Sequence, residues 1–397
     1  MSNIYGNGTT TASAGVNTVT HFYDMAGVKA ANAVSVYGQF ADKKSMMNKH
    51  GRTYKISKFL HMYDRNPFTN AEFAAKGFLS ARTIDALNDI ETNAGLSEGA
   101  GVENQVTLEK VTMEVTLARY GEMLSYTDEV ELFSEDDMQV KYREELGELA
   151  NRRFEDLIQR DMLATGTVMY SGSATSMAEI GDGVADDGSD DGEYKVSYDL
   201  IRKASRKLMR NRAKKNTQML TGTSKIDTVT VASAYYAIID ADVKADLEAT
   251  VRGSVAQNGM TEFVYRPVHK YGSADTIAEG ECGSMHDVRF IESESAVNYG
   301  GAGAAVSGTY TGDLAYTGTP GVDAQFNVHP ILFPTQGSFA TVGLKGRGKI
   351  TFKSKSPEQI DSVNPYGTNG FFSYNFFYGG IILQEEKLLK LLVAVTA

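Results

Sequence analysis

Between Phe371 and Tyr378 two kinds of position alternate. Phe372, Tyr374, Phe376 and Tyr378 fall on one face of an extended strand; Phe371 and Phe377 fall on the other, beside Ser373 and Asn375. Rings of this size each remove roughly 150–250 Å² from water when covered. The segment therefore predicts a strand built to be packed, against its own domain or against a neighbouring copy. It offers no acid–base pair, thiol or phosphate cradle.

A second period-two stretch places Val111, Met113, Val115 and Leu117 opposite Thr112, Glu114, Thr116 and Ala118, a half-buried strand. The helical period dominates 134–164. Ser134 can cap the helix, and Glu135, Asp136 and Asp137 suit its positive end. Tyr142, Leu146, Leu149, Ala150, Phe154, Leu157, Ile158 and Met162 form the apolar stripe. Lys141, Arg143, Glu144, Glu148, Arg152 and Glu155 form the polar face. A shorter amphipathic helix follows over Tyr198–Ala213, with Leu200, Ile201, Ala204 and Leu208 inward. Further on, Thr228–Val231 reads as a strand, Ala232–Leu247 as a helix, and Glu262–Tyr265 and Asp287–Ile291 as short strands. Strands resume over Phe326–Leu344 and Lys349–Lys353.

Between these elements the chain is polar. Residues 1–20 read as a flexible Gly/Thr/Ser/Asn arm, followed by a weak helical pattern over Val28–Phe40. A basic stretch (Lys43, Lys44, Lys49, Arg52, Lys55, Lys58) comes next, then an extended excursion over 64–105. Residues 181–193 form an acidic loop, and Tyr299–Ala324, rich in Gly, Ala, Ser and Thr, reads as a surface insertion. Helices and strands mix without regular β-α-β alternation, so the expected class is α+β.

The chain has 397 residues, enough for more than one compact unit, and a net charge of −11. That balance argues against nucleic-acid binding over the whole surface and leaves room for a local basic patch. Cys282 is the only cysteine, which excludes an internal disulfide and reads as a buried, inert thiol. No signal peptide and no membrane-length apolar run occurs, and Lys390 interrupts the apolar Leu388–Val395. The expectation is a soluble chain made in a cytoplasm.

Gly343-Leu-Lys-Gly-Arg-Gly-Lys349 matches most of a phosphate-binding loop. Ile350 stands where Ser or Thr should hold magnesium, and a strand-like segment follows instead of a helix. A glycine-rich turn between strands is the better reading, with a nucleotide-binding enzyme as the alternative. The acidic loop lacks the spacing of a calcium loop. The six histidines (His21, His50, His61, His269, His286, His329) form no ligand pair at helical spacing. Arg202, Lys203, Arg206, Lys207, Arg210, Arg212, Lys214 and Lys215 make the densest basic run. They could face phosphates; a solvated helix face or a neighbour's acidic surface is the simpler reading. No catalytic, cofactor-binding or metal-binding residue is assigned.

Phe326-Asn-Val-His-Pro-Ile-Leu-Phe333, Gly337-Ser-Phe-Ala-Thr-Val-Gly-Leu344, Asp361-Ser-Val-Asn-Pro-Tyr-Gly367, Phe372-Ser-Tyr-Asn-Phe-Phe-Tyr-Gly379 and Ile381-Ile-Leu383 together resemble the major capsid proteins of N4-like tailed bacteriophages. The upstream order of arm, extended loop, long helix and mixed domain also fits. The resemblance implies the Hong Kong 97-type capsid fold. It places an N-terminal arm at 1–51, an extended loop at 52–128, and a peripheral domain with a spine helix at 129–216. An axial domain follows at 217–344, and C-terminal strands at 345–397 return to the peripheral domain. It also implies a non-enzymatic shell protein without cofactors, self-assembling as pentamers and hexamers around double-stranded DNA in the virion, put together in a bacterial host's cytoplasm. Portal, scaffold and decoration proteins are the further implied partners; sequence-specific DNA binding and membrane contact are not implied. A decoration or host-binding protein using 299–324 is the remaining alternative.

Overall fold

The computed structural model describes residues 36–59, 98–99, 110–133, 138–181, 193–216, 219–220, 229–230, 233–253, 264–265, 280–345, 350–359 and 364–397. The expected arm at 1–20, nearly all of the excursion at 64–105, the Ser134 cap with its acidic neighbours, and the acidic loop at 182–192 lie outside the described residues. The described residues belong to one compact unit, Val34–Ala397.

The alternating aromatics form the middle of that unit. Strand β17 (Asn369–Ile382) runs fourteen residues, and its ladder with β4 (Ala118–Thr127) continues unbroken from Asn369↔Thr127 to Tyr378↔Ala118. Strand β16 (Thr351–Lys355) pairs with residues 371–375 of β17 and β15 (Phe339–Leu344) with residues 379–382, and β1 (Asp42–Met46) joins β15 in parallel. Phe372, Tyr374, Phe376 and Tyr378 are each 2–3 % exposed. Phe371 and Phe377, on the opposite face, are half-buried. Both halves of the sequence reading hold.

The buried face is covered by α2 (Met138–Leu163), which follows a short helix α1 (Asp128–Phe133). Helix α2 corresponds to the expected helix over 134–164, of which 134–137 lie outside the described residues. Its 26 residues span about 39 Å. Leu146, Ala150, Ile158 and Met162 bury fully or nearly so, and Phe154 stands edge-on to Phe376 and Tyr378, both at 5.6 Å. Tyr126 from β4 stacks on Phe372 at 5.3 Å, and the Arg143 guanidinium lies 5.1 Å from the same ring. The Tyr374 hydroxyl donates to Glu122 at 2.9 Å. Burial first, and then the Glu122 carboxylate, push that phenol up to about 12.

Glu155 departs from the expected polar face of α2. It is 8 % exposed, and its carboxylate accepts the Tyr37 backbone N–H at 2.9 Å. One turn on, the Gln159 amide meets the Tyr37 hydroxyl at 2.8 Å. The chain entering at Val36–Tyr37 is buried here and needs partners for its polar groups. Burial raises the Tyr37 phenol well above its ordinary range. Periodicity assigns Glu155 to solvent because it cannot see a segment 118 residues away.

A seven-stranded sheet forms the other layer. Its strands are β5 (Val168–Tyr170), β8 (Tyr235–Ile239), β9 (Val264–Tyr265), β10 (Glu281–Met285), β11 (Val288–Glu292), β14 (His329–Phe333) and β18 (Leu389–Val393). They lie in the order β5-β18-β14-β8-β11-β10-β9. The expected helix over Ala232–Leu247 is corrected: Tyr-Tyr-Ala-Ile-Ile is the central strand β8, and α4 (Ala241–Gly253) begins only after it. All five β8 residues are buried. A strand covered on both faces reads as a continuous apolar run, which periodicity does not separate from a helix.

Helix α3 (Tyr198–Arg210) starts at Ser197, whose hydroxyl accepts from Leu200 N at 3.3 Å. With α4 it covers one face of this sheet, through Leu200, Ile201, Ala204, Leu208, Val243 and Leu247. Tyr236, Ile238 and Leu332 on the opposite face join the core of α2 and β17. The C-terminal strands thus part company: β17 packs on α2, while β18 enters the sheet under α3. Leu389, Leu391 and Val393 of β18 complete the core that α3 and α4 cover, and β18 pairs with β5.

Three smaller features complete the described part of the unit. Strands β2 (Thr53–Phe59) and β3 (Lys110–Thr116) form a two-stranded ribbon in which no residue is fully buried. Leu117, 3 % exposed, ends the ribbon; its N–H donates to Arg52 O at 2.9 Å, so the expected strand through Ala118 breaks there. A Cβ at Gly379 would stand 3.0 Å from Val115 Cγ2, so glycine lets the base of the ribbon sit on β17. The segment 299–324, expected as a surface insertion, buries Val306, Leu314 and Ala324 with Phe326 and Leu392. It includes β12 (Tyr316–Thr317), which pairs with β13 (Gln325–Phe326). The short pair β6 (Met219–Leu220) and β7 (Val229–Thr230) stands apart.

Phe376→Ala should cost about 3–5 kcal/mol, and Glu155→Ala, which leaves the buried Tyr37 N–H without its acceptor, about 2 kcal/mol. Both are read from urea unfolding monitored by circular dichroism. Asp287 supplies a pH test. Burial works to raise its carboxyl, but hydrogen bonds from Lys215 and Ser205 outweigh this and hold it below the usual range. A depressed folded pKa means stability present near neutrality and lost as the pH falls through that value. The wild-type melting temperature should therefore fall more between pH 5 and pH 3 than that of Asp287→Asn.

Candidate assembly surface

A strand, not a helix, follows the glycine loop. Gly343 and Leu344 end β15, the Lys345 N–H donates to Met46 O at 2.8 Å, and β16 begins at Thr351 as a strand. Residues 346–349 lie outside the described residues. The helix N-terminus that such a loop serves is missing downstream of it.

Cys282 is buried, and its thiol donates to Phe290 O at 3.5 Å. Burial pushes the thiol up to about 11, which keeps it protonated and inert at neutral pH.

One constellation escaped the sequence reading. His329, at the start of β14, places Nδ1 3.0 Å from a carboxylate oxygen of Asp240, and Asp242 lies close enough to complete a three-donor group. No signal links positions 89 residues apart; only the β8–β14 pairing does. Asp240 also caps α4, accepting the Ala241 N–H at 2.7 Å. Its two oxygens are thus engaged, and the positive end of a helix dipole disfavours a cation here. The group is best explained as a cap and a buried polar pair.

The surface is more informative. Leu132 and Phe133 at the end of α1 are 73 % and 84 % exposed, and Met123 on β4 is 64 % exposed. Met123 stands at a groove between β4 and α2 whose floor includes Leu124, Leu146 and Leu149 and whose rim includes Glu122 and Glu145. Large apolar side chains left open to water in this way are surfaces that contact with another protein would cover. The β2–β3 ribbon adds a second unfinished surface, since a two-stranded ribbon is marginal in water without a partner. Among the described residues no helix is long and apolar enough to cross a membrane.

No protein-family model matches the chain. It is 27 % identical over 388 residues to the major capsid protein of Pseudomonas phage KPP21, covering 94 % of this chain and 92 % of that protein. Among solved structures it superimposes on the capsid of Ralstonia phage GP4 with a TM-score of 0.53, covering 98 % of this chain and 99 % of that one at 11 % identity. The Cyanophage Pam1 capsid gives 0.52, covering 98 % and 100 %, and the Cyanophage P-SCSP1u capsid 0.51, covering 96 % and 94 %, each at 11 % identity. The α+β arrangement of long helix, β-ribbon and two sheets is therefore the Hong Kong 97-type fold of phage capsids, and the chain is similar over nearly its whole length to a phage major capsid protein.

Proposed function

We propose that this chain is the major capsid protein of a tailed phage, assembling with copies of itself into the icosahedral shell that encloses double-stranded DNA. The observation that carries this reading is the match to a phage major capsid protein over 94 % of this chain and 92 % of that protein. The incomplete surfaces agree with it: a ribbon without a sheet of its own, and Leu132 and Phe133 open to water. Many modest contacts per copy, closed by symmetry, make a stable container. The reading assigns the protein a structural role, located in the virion, with pentamers and hexamers as its assembly units. The division into arm, extended loop, peripheral and axial domains belongs to the same proposal. So do membership of the N4-like group, carried by the segments between Phe326 and Leu383, and assembly in the host cytoplasm.

The nucleotide-enzyme alternative loses its support where β16 follows the glycine loop as a strand. The decoration alternative loses its support where Val306, Leu314 and Ala324 enter a core shared with Leu392 of β18. Deleting 299–324 would open that core, so particle formation without this segment is not a fair test of the shell reading.

Negative-stain microscopy of the purified chain should show closed particles. A monodisperse species that never associates under any assembly condition would contradict the proposal. Deletion of 64–105 should abolish particles in sedimentation while preserving the circular dichroism of a folded subunit. Leu132→Ser with Phe133→Ser should change unfolding free energy by less than about 0.5 kcal/mol yet reduce particle yield several-fold.

A further inference from the structure

Eight basic residues and no acidic one lie between positions 202 and 215 of a chain whose net charge is −11. Helix α3 sorts them. Leu200, Ile201, Ala204, Ser205 and Leu208 are buried, while Arg202, Lys203, Arg206 and Arg210 stand exposed on the opposite face, with Lys214 just beyond. Arg202, Arg206 and Arg210 recur every four residues, about 6 Å apart along the axis.

Some exposed cations elsewhere in this chain find carboxylates (Lys55 with Glu114, Arg153 with Glu122, Arg160 with Asp161), while Lys43, Lys44 and Lys49 have none in ion-pair range among the described residues. On α3 only Arg202 finds one, Asp199 at 3.6 Å. Among the described residues no carboxylate lies in ion-pair range of Lys203, Arg206, Arg210 or Lys214. The positive field extends past the helix. Lys387 is held below the ordinary lysine range, first by burial and then by the charges of Lys58 and Lys214.

The helix is also held in place. Lys207 Nζ donates to Val168 O at 2.9 Å, Asn211 Nδ2 to Glu386 O at 2.8 Å, and Ser205 Oγ to Asp287 at 2.9 Å. Lys215 closes the run with a 2.7 Å ion pair to the same Asp287. The stripe is thus a rigid row of cations, presented without the cost of ordering its backbone.

We propose that this face of α3 binds the phosphate backbone of double-stranded DNA, independently of sequence. The inference rests on the shell reading and deepens it by naming where the wall grips its contents. Composition decides between DNA and an acidic neighbouring subunit. Protein interfaces deplete charge at their centre and enrich aromatics, whereas nucleic-acid interfaces are far more positive. This face carries one exposed apolar residue, Met209, and no aromatic. An acidic chain repels DNA over much of its surface and attracts it where cations are densest, as on this stripe.

The test uses the full-length chain before assembly and a duplex DNA of about 30 base pairs, with affinity followed by fluorescence anisotropy over a salt series. Each lost phosphate contact flattens the slope of log K against log salt by about 0.9. The combined variant Lys203→Gln, Arg206→Gln, Arg210→Gln and Lys214→Gln should therefore flatten it by roughly 3–4 and weaken binding at 0.1 M salt at least tenfold. Particle formation should persist, and the charge-preserving set Arg206→Lys with Arg210→Lys should bind nearly as the wild type does. If the fourfold variant does not fold by circular dichroism, the pairs 203/206 and 210/214 are read separately, each expected to flatten the slope by about 2. An unchanged slope overturns the proposal. So does loss of assembly with DNA affinity intact, which would assign the face to a neighbouring subunit. A wild-type chain that forms particles but binds no duplex refutes this inference alone; a chain that never forms particles refutes the shell reading.

Discussion

Four rings on one face of a single strand need cover, and the rest of the unit is arranged around meeting that need. Phe372, Tyr374, Phe376 and Tyr378 would expose a broad apolar band if β17 stood at a surface. Helix α2 supplies the cover with Leu146, Ala150, Phe154 and Ile158, and β4 adds Tyr126 from the side. Because β17 is also the shared partner of β4, β15 and β16, the same contact that buries the rings aligns three other strands. Loosening the helix from this face would unseat the sheet as well.

The second layer depends on the first through residues facing both ways. Tyr236 and Ile238 of β8 belong to the core under α2, while Tyr235, Ala237 and Ile239 belong to the core under α3 and α4. Alternation along one strand thus welds two layers. The entering chain is tied to the same junction, with Tyr37 bonded to Glu155 and Gln159 of α2 and Phe40 against Tyr236 at 5.2 Å. A stiff centre of this kind suits a shell subunit, since contacts between copies can bear load only if the body behind them does not yield.

What remains at the surface is unfinished by the standards of a monomer. The β2–β3 ribbon packs one face through Tyr54, Ile56, Met113 and Val115 and leaves the other open, α1 ends in two open apolar side chains, and most exposed cations of α3 have no carboxylate in range among the described residues. Each is costly or idle in an isolated chain, and the apolar surfaces acquire a purpose in an assembly of copies. The fold likeness to phage capsids and the surface chemistry therefore point the same way by independent routes.

The local patterns were legible wherever burial was one-sided. The aromatic strand, the apolar stripe of α2, the α3 helix with its basic face and the inert Cys282 all follow from period and composition, because a half-buried element writes its inward face into the sequence. Two-sided burial erased the pattern at Tyr235–Ile239, so a central strand looked like a helix. Long-range pairing was equally invisible. Glu155 serving Tyr37, His329 meeting Asp240, and the separate destinations of β17 and β18 depend on contacts between residues far apart in the chain. The sequence by itself determined which residues must leave water and which segments carry charge. Only the tertiary structure decided which buried groups meet and which charges stay without partners, because those outcomes depend on distance in space, which no local pattern encodes.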